Sequence, residues 1–178
     1  MCGIAGIVAL SDNGRQQVSK LRQSIRTLET RGPDDEGIYL CDDVGLAQRR
    51  LAIIDTSAAA NQPMLDKTKR YSIIFNGEIF NYQQLRKNYF TEDERQQLRT
   101  SSDTEILLEL FIKQGEKCLP LLEGFFVFII YDTQSKELFI ARDRFGKKPL
   151  NYFVDDDRFV FASEIKALYE FEIGRAHV

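Results

Sequence analysis

Apolar and polar residues follow two different periods along this chain, and the switches between them mark its elements. The opening "GIAGIVAL" is almost continuously apolar and reads as a buried strand, with glycines where something packs close. Val18, Leu21, Ile25 and Leu28 then recur at helical spacing, which predicts an amphipathic helix from about Asp12 to Thr30. "RGPDDEG" breaks that pattern as a loop. Short strands are expected around "GIYLC", "VGLAQ" and "RLAIID", followed by a loop at "TSAAANQP". "YSIIF" is a strand, and "NGE" directly after it reads as a tight turn. A short helix is expected over "NYQQLR", and the charged, weakly periodic "TEDERQQLRT" reads as a solvated surface segment.

"SSDTEILLELFIKQG" carries the signals of a second long helix. Ser102 and Glu105 have capping-box spacing, Ile106, Leu107, Leu110 and Phe111 form the apolar face, and Gly115 ends it. "FFVFIIYD", "ELFIARD", "LNYFVDD" and "RFVFASE" follow as an antiparallel series joined by turns. The class is α+β, with strands outnumbering helices, no internal repeat and no interdomain linker.

Composition adds mainly exclusions. The 178 residues suit one domain with room for a core. A net charge of -3 offers no basic surface, so no nucleic-acid partner is expected. "GFFVFIIY" is too short to span a bilayer, and the N-terminal apolar run lacks the basic flank of a signal peptide. No membrane association and a cytoplasmic location are therefore expected. Cys2, Cys41 and Cys118 are widely spaced, fitting a reducing compartment better than a disulfide framework or a metal site. The single histidine, His177, stands one residue from the C-terminus. A Ser-His-Asp or Cys-His arrangement needs a histidine in the body of the fold, so both are nearly excluded, and no metal site is expected.

Cys2 is then the residue to explain. Its ordinary reading is a small apolar residue at the start of a strand. Position 2 offers another chemistry. Methionine aminopeptidases remove Met1 when the next side chain is small, leaving Cys2 with its thiol and a free amine on one residue. An α-amino group titrates near about 7.7–8.0 and serves N-terminal nucleophiles as general base. A nucleophile that carries its own base needs no histidine. Acyl transfer to sulfur also needs an oxyanion hole, for which Asn76 offers a side-chain N–H and Gly77 a backbone N–H. Taken alone, Asn-Gly is equally a plain hairpin turn.

"MCGIAGI", "RGPDDEG", "RRLAIID", "NQPM", "NGEIFNY", "SDTE", "RDRFGKKPL" and "ASEIKAL" occur in this order. Together they resemble the glutaminase domain of glutamine-hydrolysing asparagine synthetases, over about Met1 to Leu168. Related phosphoribosyl- and hexosephosphate-amidotransferases share the opening Cys-Gly-Ile and the Asn-Gly pair. They typically read Gln-Asp or Tyr-Asp after "RG", where this chain has Pro33 and Asp34.

The resemblance implies an N-terminal nucleophile hydrolase fold: a four-layer αββα sandwich of two antiparallel sheets between helix layers. It implies that Cys2 attacks the side-chain carboxamide of L-glutamine while Asn76 and Gly77 hold the oxyanion. Arg50 would grip the substrate α-carboxylate, the backbone of Leu51, Ala52, Ile53 and Ile54 would line that pocket, and Glu78 and Asp103 would receive the α-ammonium group. Alone, Arg50 reads as a strand-edge arginine in a surface ion pair, and Asp103 as a first-turn residue favoured by the helix dipole. Arg31 and Asp34 are expected to fix the loop beside Cys2.

The chain also departs from the family. Gln48 stands where many relatives carry histidine, and the stretch from Arg86 to Ser101 is idiosyncratic. The loop Ser-Gly-Gly-x-Asp-Ser of the ATP- and magnesium-using synthetase domain is absent, so residues 1–172 are expected to be the glutaminase domain alone, with the C-terminal partner domain missing. "RDRFGKKPL" reads equally as a domain-junction segment or as a hairpin loop. The resemblance allows a homodimer. "IGRAHV" is foreign to the family and looks like a translated sequencing adapter, so residues 173–178 are expected to be a non-native tail. Two other functions stay open at this level: amination of another acceptor, a sugar or a peptide, and a catalytically silent binding domain.

Overall fold

A computed structural model describes residues 1–52, 55 and 57–172. The tail, residues 173–178, lies outside the described residues, as do Ile53 and Ile54. The chain is α+β and contains a five-stranded and a four-stranded sheet, both antiparallel. It divides into two compact units, residues 1–51 with 148–178 and residues 52–147, each built around one sheet.

In the first unit the strands are β1 (Gly3–Ala9), β2 (Asp35–Leu40), β3 (Val44–Arg50), β8 (Asn151–Val154) and β9 (Arg158–Ala162), in the order β2-β3-β1-β9-β8. β1 is the middle strand, flanked by β3 and β9. A central strand covered on its faces has no polar face to show, which is why its sequence runs apolar without alternation. The expected helix from Asp12 to Thr30 is present but interrupted: α1 (Asp12–Gln17) and α2 (Leu21–Arg26) are joined by a 3₁₀ turn at Val18–Lys20. Ser11 caps α1 by accepting from Gly14 N–H. Leu21, Ile25 and Leu28 are buried with Ala5, Ile7, Ala47, Val160 and Phe171, and α6 (Ile165–Tyr169) completes this core.

The second unit holds β4 (Met64–Leu65), β5 (Tyr71–Ile79), β6 (Gly124–Asp132) and β7 (Glu137–Arg142), in that order across the sheet. α3 (Tyr82–Tyr89) and α5 (Asp103–Gln114) belong to the same unit, and Leu85, Ile106, Leu107 and Leu110 share a core with Ile73, Phe75, Phe128 and Ile130. α5 ends at Gly115, whose φ of +58° suits a residue without a side chain.

Four expectations need correction. "NGE" is no turn: Asn76, Gly77 and Glu78 lie inside β5, opposite Val127, Phe126 and Phe125 of β6. Ser102 accepts from Glu105 N–H, but Glu105 does not close a capping box; it accepts from the N–H groups of Arg99 and Thr100 and from the Thr100 hydroxyl. The complete box is formed by Thr91 and Glu94 at the head of α4 (Glu92–Gln96), inside the stretch read as a solvated surface segment. The last four strands are not one series, because β7 and β8 belong to different sheets. "RDRFGKKPL" therefore connects the sheets and is no hairpin. Asp143, buried within it, accepts from Phe126, Phe145 and Lys147 N–H and so fixes its course.

Candidate active site

The first unit prepares Cys2. β1 begins at Gly3, so Cys2 is one residue outside the central strand and is held by its flanks. Arg31 donates from Nε to the Cys2 carbonyl at 3.0 Å and pairs through Nη1 with Glu164, also at 3.0 Å. The Cys2 sulfur accepts from Leu51 N–H at 3.4 Å, and its S–H donates to the Leu51 carbonyl at 3.7 Å. Met1 beyond it is exposed. The chain end is thus anchored at its second residue while its first projects outward. Ser163 adds a bolt two residues further in, accepting from Ile4 N–H through its hydroxyl and donating its own N–H to the Ile4 carbonyl.

The "RGPD" loop is locked to the end of β3. A Cβ on Gly32 would lie 2.4 Å from the carbonyl of Arg49, so only glycine allows this approach. Asp34 N–H donates to the Arg50 carbonyl at 3.0 Å. Consecutive strand residues face opposite ways, and the two arginines divide accordingly. Arg49 pairs with Glu36 at 3.1 Å, whereas Arg50 is buried, with 8% of its surface exposed. Gln48 is also buried, inside β3 opposite Ile4 and Gly37. Leu51 and Ala52 follow β3, half-buried and outside any regular element.

The second unit offers donors and an acid. Asn76 is 1% exposed, and its Nδ2 has no partner among the described residues. A buried amide left unsatisfied costs roughly 1–3 kcal/mol, which marks a group reserved for something else. Gly77 needs its missing side chain: a Cβ there would lie 2.3 Å from the Phe125 carbonyl oxygen and 2.7 Å from Phe126 Cα. Phe126 spends both backbone groups away from β5, since its N–H reaches the Asp143 carboxylate and its carbonyl accepts from Asp143 N–H. Gly77 sits opposite Phe126, so its own N–H points to the other edge of β5.

Glu78 is exposed, whereas Asp103 is buried at the first position of α5 and accepts from Ile79 N–H through Oδ2 at 3.0 Å. Burial pushes the Asp103 carboxyl up to about 6, with the Glu78 charge adding to the rise and N–H groups from Ile79 and Thr104 opposing it. An acid in that state accepts a cation readily, because a positive partner relieves its cost.

A glutamine amidotransferase domain family model matches residues 1–177. The chain is 37% identical to asparagine synthetase B [glutamine-hydrolyzing] of Escherichia coli and 38% identical to asparagine synthetase [glutamine-hydrolyzing] 3 of Arabidopsis thaliana. Each alignment covers 94% of this chain, but 30% and 28% of the respective relative. Two solved structures share the fold at 22% identity. One is the glutamine phosphoribosylpyrophosphate amidotransferase of Bacillus subtilis, with a TM-score of 0.75, covering 96% of this chain and 44% of that one. The other is an allosteric regulatory enzyme of purine biosynthesis, with a TM-score of 0.78, covering 96% and 43%.

The fold is that of these two solved structures. Within it, the chain belongs to the glutamine amidotransferase domain family. It spans about a third of the length of these curated relatives. No helix among the described residues is long and apolar enough to cross a membrane.

Proposed function

We propose that the chain hydrolyses L-glutamine to L-glutamate and ammonia, with Cys2 as nucleophile once Met1 has been removed. The Cys2 amine takes the thiol proton as sulfur attacks the carboxamide carbon. The oxygen of the tetrahedral adduct takes hydrogen bonds from Asn76 Nδ2 and Gly77 N–H. Collapse returns the proton to nitrogen and expels ammonia, leaving a thioester. Water, deprotonated by the same amine, attacks the thioester and releases glutamate. The observation that carries this reading is the buried Nδ2 of Asn76, without a partner among the described residues, one residue before a glycine whose N–H faces the open strand edge.

Arg50 would hold the substrate α-carboxylate as a planar fork of donors, with the backbone of residues 51–54 lining that end. Asp103 and Glu78 would hold the α-ammonium group. In the full-length protein a further domain, using ATP and magnesium, would receive the ammonia and form asparagine from aspartate. Similarity to glutamine-hydrolysing asparagine synthetases favours that acceptor over a sugar or a peptide. A cytoplasmic setting follows for an enzyme that draws on free glutamine and keeps a reactive thiol reduced. The test is to incubate the Met1-free chain with glutamine and measure glutamate, with and without ATP, magnesium and aspartate. Glutamate released at the same rate in both mixtures, with no asparagine, supports the reading. Asparagine production by this chain would contradict it.

A further inference from the structure

We infer that Gln62 is a positioning residue for the oxyanion hole, an assignment that rests on the glutaminase reading above. β5 has one edge that faces away from β6. Odd-numbered residues of β5 send their N–H groups to this edge. Tyr71 N–H is taken by the Asp66 carboxylate at 2.7 Å, and Ile73 is paired with Met64 of β4. β4 begins only at Met64, so the ladder has no strand to offer Phe75. The side chain of Gln62 takes that place: its Oε1 accepts Phe75 N–H at 2.6 Å. Two residues past Gly77, Ile79 N–H is taken by the Asp103 carboxylate. Every other outward N–H from Tyr71 to Ile79 is claimed, and Gly77 alone is left open among the described residues.

Gln62 and Asp103 thus bracket Gly77 and hold the strand on both sides of the donor that must stay free. Gln62 is buried, and its Nε2 donates to the Thr104 hydroxyl at 3.1 Å, one residue from Asp103. One amide therefore fixes the strand carrying Asn76 and Gly77 and ties it to the helix carrying the acid. Displacing an oriented group by about 1 Å can cost on the order of 100-fold in rate, so a bracket of this kind has kinetic weight.

The test uses the Met1-free chain and separates oxyanion stabilisation from nucleophile reactivity. Alkylation of Cys2 by iodoacetamide proceeds by direct displacement and develops no oxyanion. Gln62→Leu keeps the volume and removes both bonds; kcat is expected to fall about 10–100-fold while the alkylation rate stays at the wild-type value. Gln62→Glu keeps the acceptor for Phe75 N–H and should recover kcat to within about 5-fold of wild type. Thr104→Val removes only the anchor of the amide and should cost about 3–10-fold in kcat with alkylation unchanged, which serves if Gln62→Leu does not fold. Wild-type kcat in Gln62→Leu, or in Thr104→Val when that variant stands in for it, overturns the inference. So does an alkylation rate that falls in step with kcat. A wild-type chain that releases no glutamate would overturn the glutaminase reading itself, whereas an active wild type with indifferent variants removes only the role of Gln62.

Discussion

The stretch around Cys2 and the strand around Gly77 are prepared in opposite ways. Cys2 is surrounded by satisfied groups: its carbonyl is taken by Arg31, and its sulfur both accepts from and donates to Leu51. β5 is defined by what is withheld, since Nδ2 of Asn76 has no partner among the described residues and Gly77 N–H stays open between two claimed neighbours. A nucleophile must be held still until substrate arrives, and filled hydrogen bonds do that. An oxyanion hole must keep its donors empty until charge develops, and that requires neighbours that pin the backbone without occupying it.

The largest effect should come from the satisfied side. Cys2→Ala is expected to abolish glutamate release while circular dichroism stays unchanged, because the side chain makes only two weak sulfur contacts among the described residues. Cys2→Ser should be nearly as inactive, since a hydroxyl is far less nucleophilic near neutral pH. Substantial turnover by either folded variant would remove Cys2 from the chemistry.

The withheld side should respond in kcat. Asn76→Ala is expected to lower kcat roughly 100–1000-fold and to change KM little, because the donor acts mainly in the transition state. Steady-state kinetics decides the point, and an effect confined to KM would contradict the oxyanion assignment.

Asp103 lies between these extremes, since it fixes β5 and is free to meet a cation. Asp103→Asn should raise KM about 10–100-fold, the loss expected for a charge-assisted hydrogen bond. With the Asp103 carboxyl raised to about 6, its ionised fraction shrinks as pH falls through that value. The wild-type kcat/KM for glutamine should therefore drop below about pH 6, and Asp103→Asn should lose that step. A second step from the Cys2 amine, nearer about 7.7–8.0, should persist in both proteins.

The smallest effects compare the adjacent arginines. Arg50→Ala is expected to raise KM about 10-fold or more, while Arg49→Ala, losing a pair with the partly exposed Glu36, should change kcat/KM by less than about 3-fold. Equal effects would mean that burial of Arg50 does not mark a binding role.

Much of this was legible in the sequence. The buried first strand, the helix after Ser102 and its stop at Gly115 followed from periodicity and caps, and the order of motifs singled out Cys2, Arg50, Asn76 and Asp103 as the candidates whose roles the variants above test. What misled was local preference overruled by pairing. Asn-Gly favours turns in isolation, but here the glycine serves the close approach of β6 at Phe125 and Phe126. The "T-E-D-E" pattern of a capping box was present at Thr91, but no apolar periodicity followed to draw attention to it. Gln62 stands within "NQPM" with no signal of a role, because no local pattern tells that a side chain will stand in for a missing strand thirteen residues before its partner.

The central claim is that Cys2, freed of Met1, forms the covalent intermediate. The direct measurement is intact-mass analysis of the Met1-free chain, mixed with glutamine and quenched in acid within the first turnovers, followed by peptide mapping. The expected result is an adduct of one glutamyl group on the N-terminal cysteine, absent in Cys2→Ala and in chain that retains Met1. Glutamine turnover by a chain that retains Met1, or a glutamyl adduct on Cys41 or Cys118, would contradict it.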